Sequence, residues 1–283
     1  MRRDAARRKR EATMKYRYVA DSHVHTDCSR DAADPAMMMC ENAARLGLYA
    51  LTVTDHCECN LFAADGYDKS VIQSYFEAKK AAAVFGGRLH VYAGIELGQP
   101  LQNPAAAEAA LGSCAFDFVL ASVHNVRNKK DFFELDYSLE NVDCLLDSYF
   151  DEVLAMIEWG RFDALAHLTY PWRYIVGQHH IAIPRDRWKA RIDEVLTALI
   201  RQGKALEVNT SGFRQELGTA MPDLPVLMRY RELGGKLVTL GSDAHRWADV
   251  GAGIEEGLDL LLKAGFQHYM IYVSHQPTAL PIG

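Results

Sequence analysis

Histidines and acids able to hold metal recur at the ends of successive apolar runs: His23-Val24-His25, Asp55-His56, Glu96, His124, His167 and Asp243-Ala244-His245. Imidazole nitrogens and carboxylates are the donor set of zinc, iron and manganese sites. Polar groups buried at a strand end cost free energy unless something binds them, so many of them converging points to metal. The His23-x-His25 spacing puts both rings on one face of a strand, where they can grip one ion together. Asp55-His56 adds a histidine with a neighbour that could orient it. Gly94-Ile95-Glu96, Ser122-Val123-His124 and Ala166-His167 repeat the arrangement. A single buried histidine is commonly just a hydrogen-bonded core residue. Six of the eleven histidines with two carboxylates, all at equivalent strand ends, favour a multinuclear metal hydrolase. His90, His179, His180, His268 and His275 fall outside the pattern and read as surface or structural residues.

The elements that must position these groups alternate throughout. Apolar runs at Tyr18–His25, Ala50–His56, Leu89–Glu96, Phe118–His124, Ala164–Thr169, Ala205–Asn209 and Leu237–Asp243 read as buried strands. Helices are expected near Pro35–Leu46, Ser70–Phe85, Ala105–Leu111, Val142–Trp159, Asp186–Gln202, Pro225–Leu233 and Ile254–Ala264, several stopped by glycine. A terminal strand, Tyr269–Ser274, follows. Regular alternation with short connections implies parallel strands joined by right-handed crossovers. An open doubly wound sheet would place a ligand at one switch point. A closed barrel brings every strand end to one mouth, so a barrel of about seven units fits the donor distribution. The segments Cys57–Lys69, Asn125–Glu140 and Pro171–Arg185 read as irregular substrate walls on the donor side.

The chain has 283 residues, 49% of them hydrophobic, enough for a large core. No apolar run approaches the roughly 18 residues of a membrane span. The net charge of −6 argues against nucleic acid as the main partner. The basic start, Arg2-Arg3 through Arg7-Arg8-Lys9-Arg10, lacks a following apolar signal segment. Residues 1–13 are therefore read as a disordered tail, residues 14–283 as one barrel, and the protein as cytoplasmic. The six cysteines form no Cys-x-x-Cys pair and are expected to be reduced, although Cys57-Glu58-Cys59 could bring a thiol near the metals.

The stretches Asp21-Ser-His-Val-His-Thr26, Thr54-Asp-His56, Gly94-Ile-Glu96, Ser122-Val-His124, Ala166-His167 and Gly241-Ser-Asp-Ala-His245 resemble, in order and over nearly the whole chain, the PHP (polymerase and histidinol phosphatase) superfamily. The resemblance implies a single distorted (β/α)7 TIM-like barrel with up to three divalent ions, zinc, iron or manganese, at the C-terminal ends of the strands. It assigns His23, His25, Glu96 and Asp243 to one ion, with Glu96 bridging to a second held by His124 and His167. A third ion takes His56, His245 and Asp31, which stands where several family members have another histidine. Asp131-Phe-Phe-Glu-Leu-Asp-Tyr137 and Glu207-Val-Asn-Thr-Ser-Gly-Phe-Arg214 look most like the histidinol-phosphate phosphatases, whose substrate is a small phosphate monoester of histidine biosynthesis.

Two arginines suit that substrate: Arg173, beyond His167, and Arg214, beyond the sixth strand, each offering a fork to two phosphate oxygens. Glu207 and Asn209 are expected either to support the ligands or to touch substrate. Metal ions sharing Glu96 would activate water for in-line attack, with Asp243 and His245 as candidate proton donors. Glu58, Asp131 or Asp136 could face the substrate's ammonium. The rival functions are a PHP phosphoesterase acting on nucleotides or oligonucleotide ends, and a noncatalytic metal-binding partner protein.

Overall fold

A computed structural model describes residues 14–283. The expectation of a disordered tail at residues 1–13 lies outside the described residues. Seven parallel strands run in the order β1 (Ala20–Val24), β2 (Ala50–Val53), β4 (His90–Gly98), β5 (Phe118–Ser122), β6 (Ala164–Leu165), β7 (Ala205–Asn209) and β8 (Val238–Gly241), with the short β3 (His56–Glu58) paired to the outer half of β4. The register runs from Ala20 beside Ala50, through Ala50 beside His90 and Gly94 beside Phe118, to Leu206 beside Val238. Closure is made beyond the last strand, where the Asp243 amide donates to the His23 carbonyl at 2.8 Å and the His25 amide donates to the Ala244 carbonyl at 2.9 Å. Three expected donor residues thus sit on the seam that closes the barrel.

Helices α1 (Ala36–Leu46), α2 (Tyr67–Phe85), α3 (Pro104–Ser113), α4 (Val142–Trp159), α5 (Tyr170–Trp172), α6 (Lys189–Gln202), α7 (Leu224–Glu232) and α8 (Ile254–Lys263) complete the fold. Local chemistry sets their ends. The Asn141 side chain accepts from the Cys144 amide to start α4, and α1, α4 and α6 stop at Gly47, Gly160 and Gly203 in the left-handed region. Phe118, Leu120, Ala164, Ala166 and Ala205 line the barrel interior together with Tyr272 of β9 (His268–Val273). β9 pairs antiparallel with β10 (Gln276–Pro281) in a separate two-stranded sheet. The expected terminal strand is therefore half of a hairpin, and Tyr269 ties it to β1 by accepting from the Ala20 amide at 2.8 Å.

Three expected boundaries change. The fifth run, Ala164–Thr169, is a strand only over Ala164–Leu165, because the His167 amide donates to the Glu207 carboxylate at 2.7 Å and the chain leaves the ladder there. The segment after it was expected to be irregular but is helical, α5 continuing as a π-helix over Arg173–Gln178, since Pro171 occupies a first turn, where no amide hydrogen is needed. Cys57–Lys69, also expected irregular, holds part of β3, a 3₁₀ turn at Cys59–Leu61 and the start of α2. No helix among the described residues is long and apolar enough to cross a membrane.

Candidate metal centre

β1 carries His23, with His25 just beyond its end; β4 carries Glu96; His124, His167 and Asp243 follow β5, β6 and β8. All six are buried. Glu96 is the hub. Its Oε1 lies 2.9 Å from His167 Nε2 and 3.1 Å from His124 Nε2, and its Oε2 lies 2.9 Å from His56 Nδ1, 3.3 Å from His23 Nε2 and 3.5 Å from His25 Nε2. Asp243 Oδ1 is 3.5 Å from His25 Nε2 and 3.8 Å from His23 Nε2. Asp243 has φ 55°, a left-handed conformation that a non-glycine residue adopts at a cost of about 1–3 kcal/mol and that tends to persist where function requires it. Asp31, its side chain 58% exposed at the mouth, has Oδ2 3.0 Å from His245 Nε2 and 3.6 Å from His56 Nε2.

Four sets of three donors lie close enough for one ion each: His23, His25 and Asp243; His23, Glu96 and His167; His56, Glu96 and His124; His25, His56 and His245. The structure thus draws eight of the nine expected ligands into these sets and leaves Asp31 beside His245 and His56 at the rim. The partition also differs from the expected one, since His25 shares a set with His56 and His245. The five remaining histidines do not enter the cluster; His275 pairs with Asp163, and His179 and His90 pack against Tyr137 and Tyr49. Cys57 and Cys59 are buried but join none of the four sets.

The hydrogen bonds behind the rings test whether the donors suit a cation. His23 Nδ1 faces Glu207 Oε1 at 2.7 Å, His124 Nδ1 faces Glu58 Oε1 at 2.9 Å, and His245 Nδ1 faces the Asp243 carbonyl at 3.1 Å. His25 Nδ1 faces Ser29 Oγ at 3.3 Å, and that hydroxyl already donates to Asp55, so it accepts from the ring. Each partner accepts, which assigns the proton to Nδ1 and leaves the Nε2 lone pair pointing inward. The Nε2 atoms of His23 and His25 then face each other at 3.0 Å. Two buried lone pairs at such a distance repel unless a cation lies among them, so the donor set fits divalent metal.

Charge follows the same geometry. Burial would push the Glu96 carboxyl up, but positive charge on His23, His124 and His56, when those rings are protonated, outweighs it and holds Glu96 well below the usual carboxylate range, the same sign of charge that a cation among the rings would supply. Burial opposes the charge of Asp243 too, yet His23, His25 and Arg173 hold its carboxyl well below that range. His25 is depressed by burial and by neighbouring His56 and His245, as a ligand that must keep its lone pair requires.

Of the two roles expected of Glu207 and Asn209, the geometry gives them support of the donor residues; Asp55, expected beside His56, turns to Thr26, Ser29 and Ser74; and Asp21 had no role assigned from the sequence. Glu207 orients His23 and, through its other oxygen, holds the His167 amide, while Asn209 Nδ2 reaches Asp243 Oδ2 at 3.4 Å. Asp55 accepts from the Thr26 amide at 2.6 Å and from the hydroxyls of Thr26, Ser29 and Ser74, fixing the turn behind His25. Asp21 accepts from the Ser242 and Gly251 amides at 2.8 Å and binds β1 to the turn that presents Asp243. A methyl group on Gly241 would stand 2.3 Å from His23 Cβ and 2.4 Å from Glu207 Oε1, so only glycine leaves room for that pair.

Arg173 lies half-buried beside the cluster; its Nη2 donates to Asp243 Oδ2 at 2.9 Å and to Ser211 Oγ, and its buried Nε has no partner. Arg214 donates instead to the carbonyl of Ser242 at 2.9 Å and that of Asp243 at 3.4 Å, on the rim. Of the three acids expected to face an ammonium, Glu58 turns to His124. Asp136 is exposed and accepts from Ser138. Asp131 accepts from the Tyr170 hydroxyl at 3.2 Å and from the Phe133 amide at 3.0 Å, and enters no ion pair among the described residues.

Comparison with known proteins places the chain in a family. The PHP domain family model matches residues 21–211, more than half of the chain. A histidinol-phosphatase of Lactococcus lactis is 28% identical over 253 residues, covering 87% of this chain and 91% of its own, and a probable histidinol-phosphatase of Thermotoga maritima is 28% identical over 253 residues, covering 89% and 95%. The crystal structure of the histidinol phosphate phosphatase of Lactococcus lactis, complexed with zinc, L-histidinol and phosphate, superposes with TM-score 0.75 at 23% identity, covering 92% of this chain and 98% of that one. A seven-stranded parallel barrel, donors gathered at its C-terminal mouth and the match over residues 21–211 together make this chain a member of the PHP domain family.

Proposed function

We propose that the protein is a metal-dependent phosphomonoesterase that hydrolyses L-histidinol phosphate to L-histidinol and phosphate. The observation that carries the reading is the convergence of imidazole nitrogens on Glu96 beside a half-buried arginine with a buried, unpartnered Nε, in a chain whose relatives across most of its length are histidinol-phosphatases. Divalent ions at such a centre supply Lewis acidity and neutralise phosphate charge. His23, His25, His56, Glu96, His124, His167, Asp243 and His245 hold the ions, with Asp31 closing the mouth. Arg173 and Arg214 orient phosphate oxygens, Arg173 more strongly, because Arg214 also serves two backbone carbonyls. Asp243 is held ionised and is the poorer proton donor; His245, part-exposed at the mouth, is the better placed group to protonate the departing alkoxide.

Elemental analysis of the active protein should find about three transition-metal ions per chain, and exhaustive chelation should abolish turnover. Fewer than two ions in active protein would end the trinuclear reading. Substrate choice is tested with a panel of phosphate esters: kcat/KM should be higher for histidinol phosphate than for p-nitrophenyl phosphate, nucleotides or short oligonucleotides, because the walls add contacts beyond the shared phosphate. A nucleotide or oligonucleotide leading the panel would move the reading to the other PHP phosphoesterases. Asp131, the acid left without a cation, faces the substrate's ammonium. Asp131→Asn keeps the acceptor for Tyr170 and the Phe133 amide but removes the charge. It should raise KM for histidinol phosphate by roughly tenfold, the loss of about 1.4 kcal/mol, with p-nitrophenyl phosphate unaffected. Equal effects on both esters would remove Asp131 from recognition.

A further inference from the structure

Glu58 is an acid the metal-ligand pattern does not use, and four features hold its carboxylate in one place. β3 pairs with the outer half of β4, setting Glu58 beside Gly98 in register. A Cβ on Gly98 would stand 2.3 Å from Glu58 Oε2, so the glycine leaves the space that the carboxylate fills. Gln99, itself at φ 45°, donates its side-chain amide to Glu58 Oε2 at 2.6 Å. The other oxygen, Oε1, lies 2.9 Å from His124 Nδ1 and 3.4 Å from His56 Nδ1. The same Gln99 receives the His124 amide through its Oε1 at 3.0 Å, so one glutamine locks both ends of the Glu58–His124 pair.

We propose that Glu58 is a positioning residue for the metal centre: by accepting from His124 Nδ1 it fixes the ring's tautomer and aims Nε2 at the ion shared with Glu96. The inference rests on reading the cluster as a metal site. An imidazole without that acceptor can rotate or place its proton on Nε2, and either change withdraws a donor from the set of His56, Glu96 and His124. Glu207 does the same for His23 from the opposite wall, so the two histidines that flank Glu96 are each backed by a carboxylate from a different strand.

The test is direct metal binding to metal-free protein, with cobalt(II) or zinc(II) titrated against a chromophoric chelator. Wild type must bind ions tightly; if it does not, the metal reading itself fails and Glu58 is not at issue. Glu58→Gln should weaken one site by roughly 10–100-fold, the usual effect of losing such a support, while the remaining sites stay within twofold of wild type. The cobalt(II) visible spectrum should be diminished at stoichiometric metal and restored in excess, and kcat should recover at saturating metal with KM unchanged. Gly98→Ala, which displaces the carboxylate without deleting it, should weaken the same site, and the double variant should be no worse than the stronger single one. Thermal melting of the metal-free proteins accompanies each titration, so a fold defect in one variant is read against the other. Unchanged affinity at every site in a folded variant would overturn the proposal. Permanent loss of one ion at saturating metal would overturn it as well, by making Glu58 a ligand.

Discussion

Glu96→Gln should lower kcat by roughly 10²–10⁴-fold while the barrel stays folded. Glu96 Oε1 and Oε2 together face five imidazoles, and no other acid of the centre touches more than three. Glutamine keeps the shape but removes the charge that offsets the cations, and removing one partner of a buried charged set costs about 3–5 kcal/mol. Each 1.36 kcal/mol of barrier is tenfold in rate, which gives the expected range. Circular dichroism should be unchanged, because β4 is held by backbone pairing to β2, β3 and β5 rather than by this carboxylate. Metal analysis should show fewer ions per chain. Near-normal turnover with full metal content would mean that Glu96 does not link the ions.

Arg173→Ala should cost more than Arg214→Ala, and for a reason beyond the number of phosphate contacts. Loss of a charge-assisted bidentate pair removes on the order of 1.5–3 kcal/mol, so Arg214→Ala should lower kcat/KM by roughly 10–100-fold or less and weaken competitive inhibition by inorganic phosphate in step. Arg173 is also the partner of Asp243 Oδ2 and is stacked over the Tyr170 ring at 5.2 Å. Its removal unties a ligand at left-handed φ as well as a phosphate contact, so kcat and phosphate affinity should both fall, and by more than in Arg214→Ala. Arg173→Lys should rescue little, since an ammonium cannot reach Asp243, Ser211 and a phosphate oxygen from one planar fork. Equal losses in the two alanine variants would place the arginines on the same footing and remove the special role of Arg173.

The barrel and its donors were legible because both are written in local patterns. Apolar runs ending in His or an acid, helices ended by Gly47, Gly160 and Gly203, and the two-residue spacing of His23 and His25 all follow from side-chain alternation and capping, which need no knowledge of distant residues. The shortness of β6, Ala164–Leu165, was not legible. Its six-residue apolar run reads as a full strand, and only the approach of Glu207, forty residues later in the chain, takes the His167 amide out of the ladder.

The sequence by itself determined the alternation of strands and helices and the strand-end position of eight candidate metal donors, because each depends on neighbours within a turn or a strand. The tertiary structure alone decided which acid backs which histidine. Glu58 reaches His124 across 66 residues, Glu207 reaches His23 across 184, and Asp21 reaches Ser242 across 221. It also decided that Arg173 pairs with Asp243 while Arg214 turns to backbone carbonyls at the rim. Such pairs arise from barrel closure, which brings β1 and the end of β8 together at His23 and Asp243, and a run of residues read locally carries no record of what lies across the seam.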